Sequence, residues 1–252
     1  MKISIVTPSY NQGDYIKQTI DSVIDQKFKN LEYLIMDGGS TDNTLQILKT
    51  YGTRLKWNSA KDRGQTDAIN KGMKQSSGEI VAFLNSDDYY LPGTLSKVSK
   101  IFQDNPEIKW LTGDYRIVDQ NNKEIQKPIK LYKSLLRKFP LRHTLAVTNM
   151  IVQPSTFWRR EVFKEIGYFN EELNYTMDYE FWLRLIKKYH PYLLGEDLCA
   201  FRIHDNSKGG SRFQEQFSEE LSVIKIHCSN RFLINAHKLH NKLIIAIYNI
   251  IR

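Results

Sequence analysis

Residues 79–92 read EIVAFLNSDDYYLP. Glu79 to Leu84 is a short, mostly apolar run, Asn85-Ser86-Asp87-Asp88 follows it, and Pro92 closes the stretch: the pattern of a strand that ends in a sharp turn. Asp87 and Asp88 then stand at the strand's exit. In an open α/β sheet that exit, beyond the carboxyl ends of the strands, is where ligands bind. Two adjacent carboxylates repel one another, so keeping both ionised requires a cation or several donors. One reading is a hard divalent ion, Mg²⁺ or Mn²⁺, bound through oxygen beside a phosphate-bearing partner. The other is a polar turn in which Asp serves as a helix cap. The motif by itself leaves both open.

Upstream, the pattern repeats. Ile3 to Thr7 is a β-branched run ending at Pro8, and Ser9-Tyr10-Asn11-Gln12-Gly13 is rich in turn formers. Ile16, Ile20, Val23 and Ile24 recur at helical spacing with Asp14 as the expected N-cap. Leu31 to Met36 reads as a second strand broken by Asp37-Gly38-Gly39-Ser40, followed by a helix through Leu45 and Leu48. Leu55 to Ser59 reads as a third strand, and a helix is expected from Asp67. Strand and helix alternate, which predicts a Rossmann-like, mostly parallel sheet flanked by helices. Pro8 and Asp37 fall on the same sheet edge as Asp87. Downstream, Pro92 is expected to start a helix, Asp119 to Lys123 to form a hairpin turn, and Val152 to Trp158 to be a strand or edge segment interrupted by Pro154. From Met177 onward Tyr179, Trp182, Leu185 and Ile186 mark a strong helical face, with Asp178 in its first turn. A carboxylate so placed is either a helix-start residue or a general base.

Composition sets the bounds. The chain has 252 residues, 41% hydrophobic and 25% charged, enough for one α/β domain with a small appendage. Its opening apolar run is too short for a signal peptide and no segment is long enough to span a bilayer. Cys199 and Cys228 form neither a disulfide framework nor a metal spacing, so a cytoplasmic setting is expected. The net charge of +8 is uneven: residues 126–252 hold 20 lysines and arginines against 12 acids, while the first half balances. No acid occurs between Ile125 and Arg160 or after Glu220. Such asymmetry favours an anionic partner. The last run, Leu243 to Ile251, is apolar nearly all round and is expected to lie on a membrane surface, to pack against another subunit as in a homodimer, or to dock on its own core.

The strings VTPSYNQGDYI (6–16), DGGSTDNT (37–44), DRGQTDAINKG (62–72), GEIVAFLNSDDYYLPGTL (78–95), QPSTFWRREVF (153–163), MDYEFWLRL (177–185) and FRIHDNS (201–207) together resemble the family 2 glycosyltransferases, inverting enzymes of the GT-A fold. The resemblance implies a nucleotide-sugar-binding half at 1–115, an acceptor-side half of the same domain at 116–210, and a C-terminal helical tail at 211–252. It places Pro8, Tyr10, Asn11 and Asp37 in the donor-nucleotide pocket, with Asp37 accepting from the base's N3–H. Asp62, Gln65 and Asp67 match a second donor-binding segment. Asp87 and Asp88 match the metal motif, and Asn85 stands where the family often has Asp, so it can hydrogen-bond ribose or sugar but brings one charge fewer. His204 matches a histidine that closes over metal and pyrophosphate, with Arg202 and Ser207 as helpers, and Asp178 matches the catalytic base.

The implied activity is transfer of a hexosyl or N-acetylhexosaminyl group from a UDP-linked donor to an acceptor hydroxyl, with Mg²⁺ or Mn²⁺, in cell-surface polysaccharide synthesis. The implied acceptor is lipid-linked or a saccharide, met at the inner face of the membrane. A module that binds a nucleotide diphosphate without transferring sugar is the alternative. Nucleic-acid binding is not expected, because the basic stretches carry no nucleic-acid motif.

Overall fold

The computed structural model describes residues 1–139, 141–204 and 213–251, with the side chains of 213 and 247–251 left aside. The chain opens with β1 (Ile3–Ser9), α1 (Ile16–Ile24), β2 (Leu31–Asp37), α2 (Thr44–Lys49), β3 (Lys56–Ser59), α3 (Gln65–Gln75) and β4 (Ile80–Phe83). All seven residues of β1 and all four of β4 are buried, as expected where helices cover both faces of a parallel sheet and favour continuous apolar runs over alternation. β2 pairs with β1, β1 with β4 and β3 with β2, all parallel. Helix α3 lies so close to β1 that a Cβ on Gly72 would stand 2.3 Å from Val6 Cγ1. A residue without a side chain is what permits that approach.

The chain continues through β5 (Tyr89–Tyr90), α4 (Thr94–Asp104), β6 (Trp110–Val118), α5 (Lys127–Leu136), α6 (Leu141–Val147), β7 (Thr156–Arg159), α7 (Val162–Ile166), α8 (Met177–Leu185) and β8 (Tyr192–Arg202). These complete one eight-stranded sheet in the order β3-β2-β1-β4-β7-β6-β8-β5. β7 is antiparallel to both β4 and β6, β8 is parallel to β6, and β5 is antiparallel to β8. Behind β7 an aromatic cluster forms, in which Trp158 stacks on Trp182 at 5.6 Å and meets Phe163, Phe169 and Phe181 edge-on. Each such pair adds about 0.5–1.5 kcal/mol beyond its buried area.

Several expected boundaries shift for identifiable reasons. The Val152–Trp158 segment is not an edge: β7 lies mid-sheet, because Pro154 sits in a short 3₁₀ turn, Gln153–Ser155, ahead of the ladder. Helix α1 is entered from Tyr15 without a side-chain cap, and Gln12 O accepts the N–H groups of Tyr15 and Ile16, so Asp14 is not its cap. Helix α3 starts at Gln65, two residues before Asp67, and α4 starts after Gly93 (φ +81°) rather than at Pro92. The hairpin turn at Asp119–Lys123 is present, with Asp119 N donating to Lys123 O at 2.9 Å.

The tail consists of α9 (Phe213–His227) and α10 (Arg231–Ile251). One side docks on the core through Val223, Ile224, His237 and Asn241, all buried. The other side of α10 leaves Phe232, Leu239 and Leu243 57–78% exposed. Among the described residues no helix is long and apolar enough to cross a membrane.

Candidate active site

The exits of β1 and β2 are knitted together before any ligand is considered. Asp37 is 3% exposed and accepts from Gly39 N (3.1 Å), Ser40 N (2.9 Å), Ser40 Oγ (2.5 Å) and Ser59 Oγ (2.6 Å). Ser40 Oγ in turn accepts from Asn11 N at 2.8 Å, and Asn11 Oδ1 accepts from Thr41 N at 2.8 Å. Asn11 holds a left-handed backbone (φ +52°) to do this, a conformation Asn tolerates better than most residues. Pro8 is buried in β1 opposite Met36, and Tyr10 stands 59% exposed above the loop. Asp62 accepts from Gly64 N at 2.8 Å, and its carboxylate lies over Gly38, where a Cβ would come within 2.7 Å of Oδ2.

The structure separates the two carboxylates of the opening motif. Asp88 is 1% exposed, with Oδ1 accepting from Arg202 N (2.9 Å) and Oδ2 from Asn85 Nδ2 (3.3 Å). Burial, and then the charge of Asp87, push its carboxyl well above the usual carboxylate range. The Asp87 side chain is 21% exposed, and its Oδ2 lies 3.2 Å from His204 Nε2. His204 packs against the Tyr15 ring with centroids 4.5 Å apart. Asp87 is thus the accessible carboxylate, with the buried His204 beside it and Asp88 behind, tied to Arg202 N and Asn85 Nδ2. A carboxylate with an imidazole beside it, and a second carboxyl that burial and like charge disfavour as an anion, is a donor set that a divalent cation such as Mn²⁺ fits. Among the described residues no ready-made group of three ligands is assembled.

Arg202, expected as a helper beside His204, is held by the protein's own acceptors. It is 1% exposed, and its guanidinium donates to Asp87 O (2.8 Å), Asp119 O (3.3 Å), Gln120 O (3.4 Å) and Gln18 Oε1 (2.7 Å), between the rings of Tyr15 and Tyr89. It fastens the Asp loop to α1 and to the 119–123 turn. Asp67 is likewise committed: burial would raise its carboxyl, but bonds from Lys71 and Arg63 outweigh that and hold it at about 2. Ser207 lies outside the described residues.

Helix α3 joins the loop of Asp87 and Asp88 to the expected base. Gln65 Nε2 donates to Asn85 Oδ1 at 2.7 Å, and the neighbouring Thr66 Oγ1 donates to Met177 Sδ at 2.8 Å. Asp178 follows Met177 in the first turn of α8, partly buried, with Tyr179 N donating to its Oδ1 at 2.7 Å. Burial raises its carboxyl to about 6, against the opposing pull of Tyr179 N–H, Lys133 and Asn149. Glu220, from α9, is 3% exposed and is pushed to about 7, first by burial, with Asp178 adding to the push and Lys133 opposing it. Burial lowers Lys133 itself, although Glu220 and Asp178 favour its charged form.

Lys133, Asn149 and Glu220 carry no local sequence signal that places them beside Asp178; α5, the segment after α6 and α9 bring them there. Gln153 did carry one, as the first residue of the quoted QPSTFWRREVF string. Its Nε2 donates to Phe83 O at 2.7 Å, and its Oε1 accepts from Asn85 Nδ2 at 3.5 Å.

A parallel half-sheet with its polar residues at the strand exits, an antiparallel insertion at β7, and an acidic loop closed by a strand from the far end of the chain define the GT-A kind of architecture. The glycosyl transferase family 2 model matches residues 4–167. The chain belongs to this family. An uncharacterized glycosyltransferase of Rickettsia typhi is 32% identical over 210 residues, covering 81% of this chain and 64% of its own length. A Bacillus subtilis glycosyltransferase, TuaG, whose name attaches it to teichuronic acid biosynthesis, is 31% identical over 223 residues, 84% of this chain and 83% of TuaG. In structure, residues 1–349 of Staphylococcus aureus TarS, solved with UDP-GlcNAc, superpose with a TM-score of 0.71 at 24% identity, covering 90% of this chain and 66% of that one. A Pyrobaculum calidifontis mannosyltransferase solved with GDP-Man and Mn²⁺ superposes at 0.67 and 15% identity, covering 99% of this chain and 80% of that one. The chain thus spans just under two thirds of the Rickettsia typhi relative, and Asp178, Arg202 and His204 lie beyond the residues that the family model matches.

Proposed function

We propose that the protein is an inverting glycosyltransferase that moves a hexosyl or N-acetylhexosaminyl group from a UDP-linked donor to an acceptor hydroxyl during synthesis of a cell-surface polymer. The observation that carries this reading is Asp178: a carboxyl raised to about 6, tied through Met177, Thr66, Gln65 and Asn85 to the loop of Asp87 and Asp88. A base with that value is ionised at neutral pH yet holds a proton far better than a free aspartate, which is what general-base catalysis asks of it.

In the proposed reaction Asp178 takes the proton of the acceptor hydroxyl. The acceptor oxygen attacks the anomeric carbon from the side opposite the diphosphate, the bond from that carbon to the diphosphate oxygen breaks, and the electron pair leaves with the nucleoside diphosphate. Asp87 and His204 would hold a divalent cation, with Asp88 behind them, and when bound it supplies positive charge for the departing diphosphate. Asn85 keeps Gln65 and Asp88 in register beside that site. Asp37 Oδ2, held by three donors, fixes the loop of Ser40 and Thr41, and Oδ1, which accepts from Ser40 Oγ, would take a base N–H on its other lone pair.

The acceptor side is read from charge and exposure. On α5, Leu131, Leu135 and Phe139 just past it are 50–71% exposed among Lys127, Lys130 and Lys138; on α10, Phe232, Leu239 and Leu243 alternate with Arg231, Lys238 and Lys242. Tyr132 Oη lies 2.9 Å from His240 Nε2, so the two helices adjoin. An apolar surface rimmed by bases, among which Lys127 pairs with Glu124 and Lys130 with Asp197, suits an anionic bilayer carrying a lipid-linked acceptor.

The test is release of nucleoside diphosphate from a panel of UDP-, dTDP- and GDP-sugars, with and without Mn²⁺. Metal-dependent turnover of a UDP-sugar is expected. Tight UDP binding without turnover of any donor, with or without saccharide acceptors, would instead identify a non-transferring binding module.

A further inference from the structure

The segment that enters α8 is held from outside itself. Thr176 caps the helix but makes no side-chain cap bond, and a helix start leaves N–H groups that need partners. A carboxylate from α9 supplies them. Glu219 Oε1 accepts from Tyr175 N (2.9 Å), Thr176 N (2.9 Å) and Thr176 Oγ1 (2.7 Å), and its Oε2 accepts from Asn174 N (3.1 Å). Those donors outweigh burial and keep its carboxyl below the usual range, so it is an anion whenever the protein is folded near neutral pH. Asp178 lies two residues beyond Thr176, facing Lys133 from α5, Asn149, and Glu220 from α9 itself.

We infer that Glu219 is a positioning residue for Asp178: by gripping residues 174–176 it sets the first turn of α8, so α9 is a working part of the active site. The inference rests on the assignment of Asp178 as the base. Neither the quoted motifs nor the matched residues 4–167 reach α9, so nothing but the geometry carries it.

Glu219→Ala and Glu219→Gln in the full chain test it by NMR, through amide exchange and titration of the Asp178 carboxyl, with no substrate required. In Glu219→Ala the amides of Asn174, Tyr175 and Thr176 should exchange about tenfold faster or more while β1 and β4 keep their protection. The Asp178 carboxyl should titrate about one pH unit lower, as a loosened first turn admits water. Glu219→Gln keeps one acceptor oxygen, so Tyr175 and Thr176 should stay within about threefold of the parent and Asn174 alone should speed up. Unchanged exchange and titration in Glu219→Ala would overturn the inference, as would a uniform loss of protection across β1 and β4 in both variants, which marks a merely structural residue. Turnover of Asp178→Asn separates the two claims. Normal turnover there removes the base assignment and with it the catalytic meaning of the grip; abolished turnover with an unperturbed Glu219→Ala removes the grip alone.

Discussion

Replacing Asp178 by Asn should make the protein both slower and more stable, and the two effects come from one cause. The folded state holds this carboxyl at about 6 against a usual value of 3.8, first by burial. Below about pH 4 the group is protonated in folded and unfolded chains alike, and the fold carries no penalty. As pH rises toward 6 the unfolded chain gives up its proton more readily, so stability is lost across that window and stays lost above it. Two pH units correspond to about 3 kcal/mol. Asn is neutral throughout and removes the penalty, less what Lys133 loses as its neighbour disappears, leaving a gain of about 1–3 kcal/mol at pH 8, or roughly 2–10 °C in Tm for a chain of this size. Meanwhile the loss of general-base assistance should lower kcat by about 10²–10⁴-fold, some 3–5 kcal/mol on the barrier. The parent's turnover should also fall about tenfold per pH unit well below 6, a limb absent from any residual activity of the variant. Thermal melts at pH 8 and pH 4, with diphosphate release followed across pH, measure both halves. Near-normal turnover with donor binding intact, or a Tm at pH 8 no higher than the parent's, would refute the reasoning.

Three other outcomes follow from the same contacts. Asn85→Asp restores a charge beside Asp88, so without metal it should lower Tm, and with Mn²⁺ it should raise apparent metal affinity about tenfold, read as a metal-dependent thermal shift; an unchanged shift argues that Asn85 lies outside the metal's reach. Glu32 is buried and held at about 2, against burial, by Ser4, Ser77 and Lys2. Its folded value is depressed, so its stabilisation is present above about pH 4.5 and lost as pH falls through 2, and Glu32→Gln should cost about 2–3 kcal/mol in urea unfolding at pH 7. The pair Leu239→Glu and Leu243→Glu should weaken co-sedimentation with phosphatidylglycerol vesicles about tenfold or more while leaving diphosphate release unchanged; equal partitioning would count against the membrane surface.

The parallel half of the sheet was legible because strands buried on both faces write themselves as unbroken apolar runs, as Ile3–Val6 and Ile80–Phe83 do. The acidic loop was legible because two adjacent carboxylates at a strand exit demand an explanation. Helix starts were not: Asp14 looks like a cap and is not one, since backbone from Gln12 does the work, and α3 begins early because Asp67 reaches back to Arg63 N. β8 carries no single pattern, because its first half is largely exposed while its second half is buried except at the partly exposed Phe201. Arg202 reads as a helper of His204 through the family resemblance alone, and only the packed structure shows its guanidinium donating to the carbonyls of Asp87, Asp119 and Gln120 and to Gln18 Oε1. Glu219 offered nothing to read at all, since its partners lie more than forty residues away.

The strand that closes the acidic loop also sets a timetable. Arg202 N reaches Asp88 across 114 residues of chain, so during translation at about 5–20 residues per second the loop waits roughly 6–23 s for the donor that completes it. Until then Asp88 lacks the backbone N–H of Arg202, and Asn85 is the partner its carboxylate has from the first half of the chain. The acidic loop therefore takes its final hydrogen bonding only after residue 204 has been made, when Arg202 and His204 both reach it.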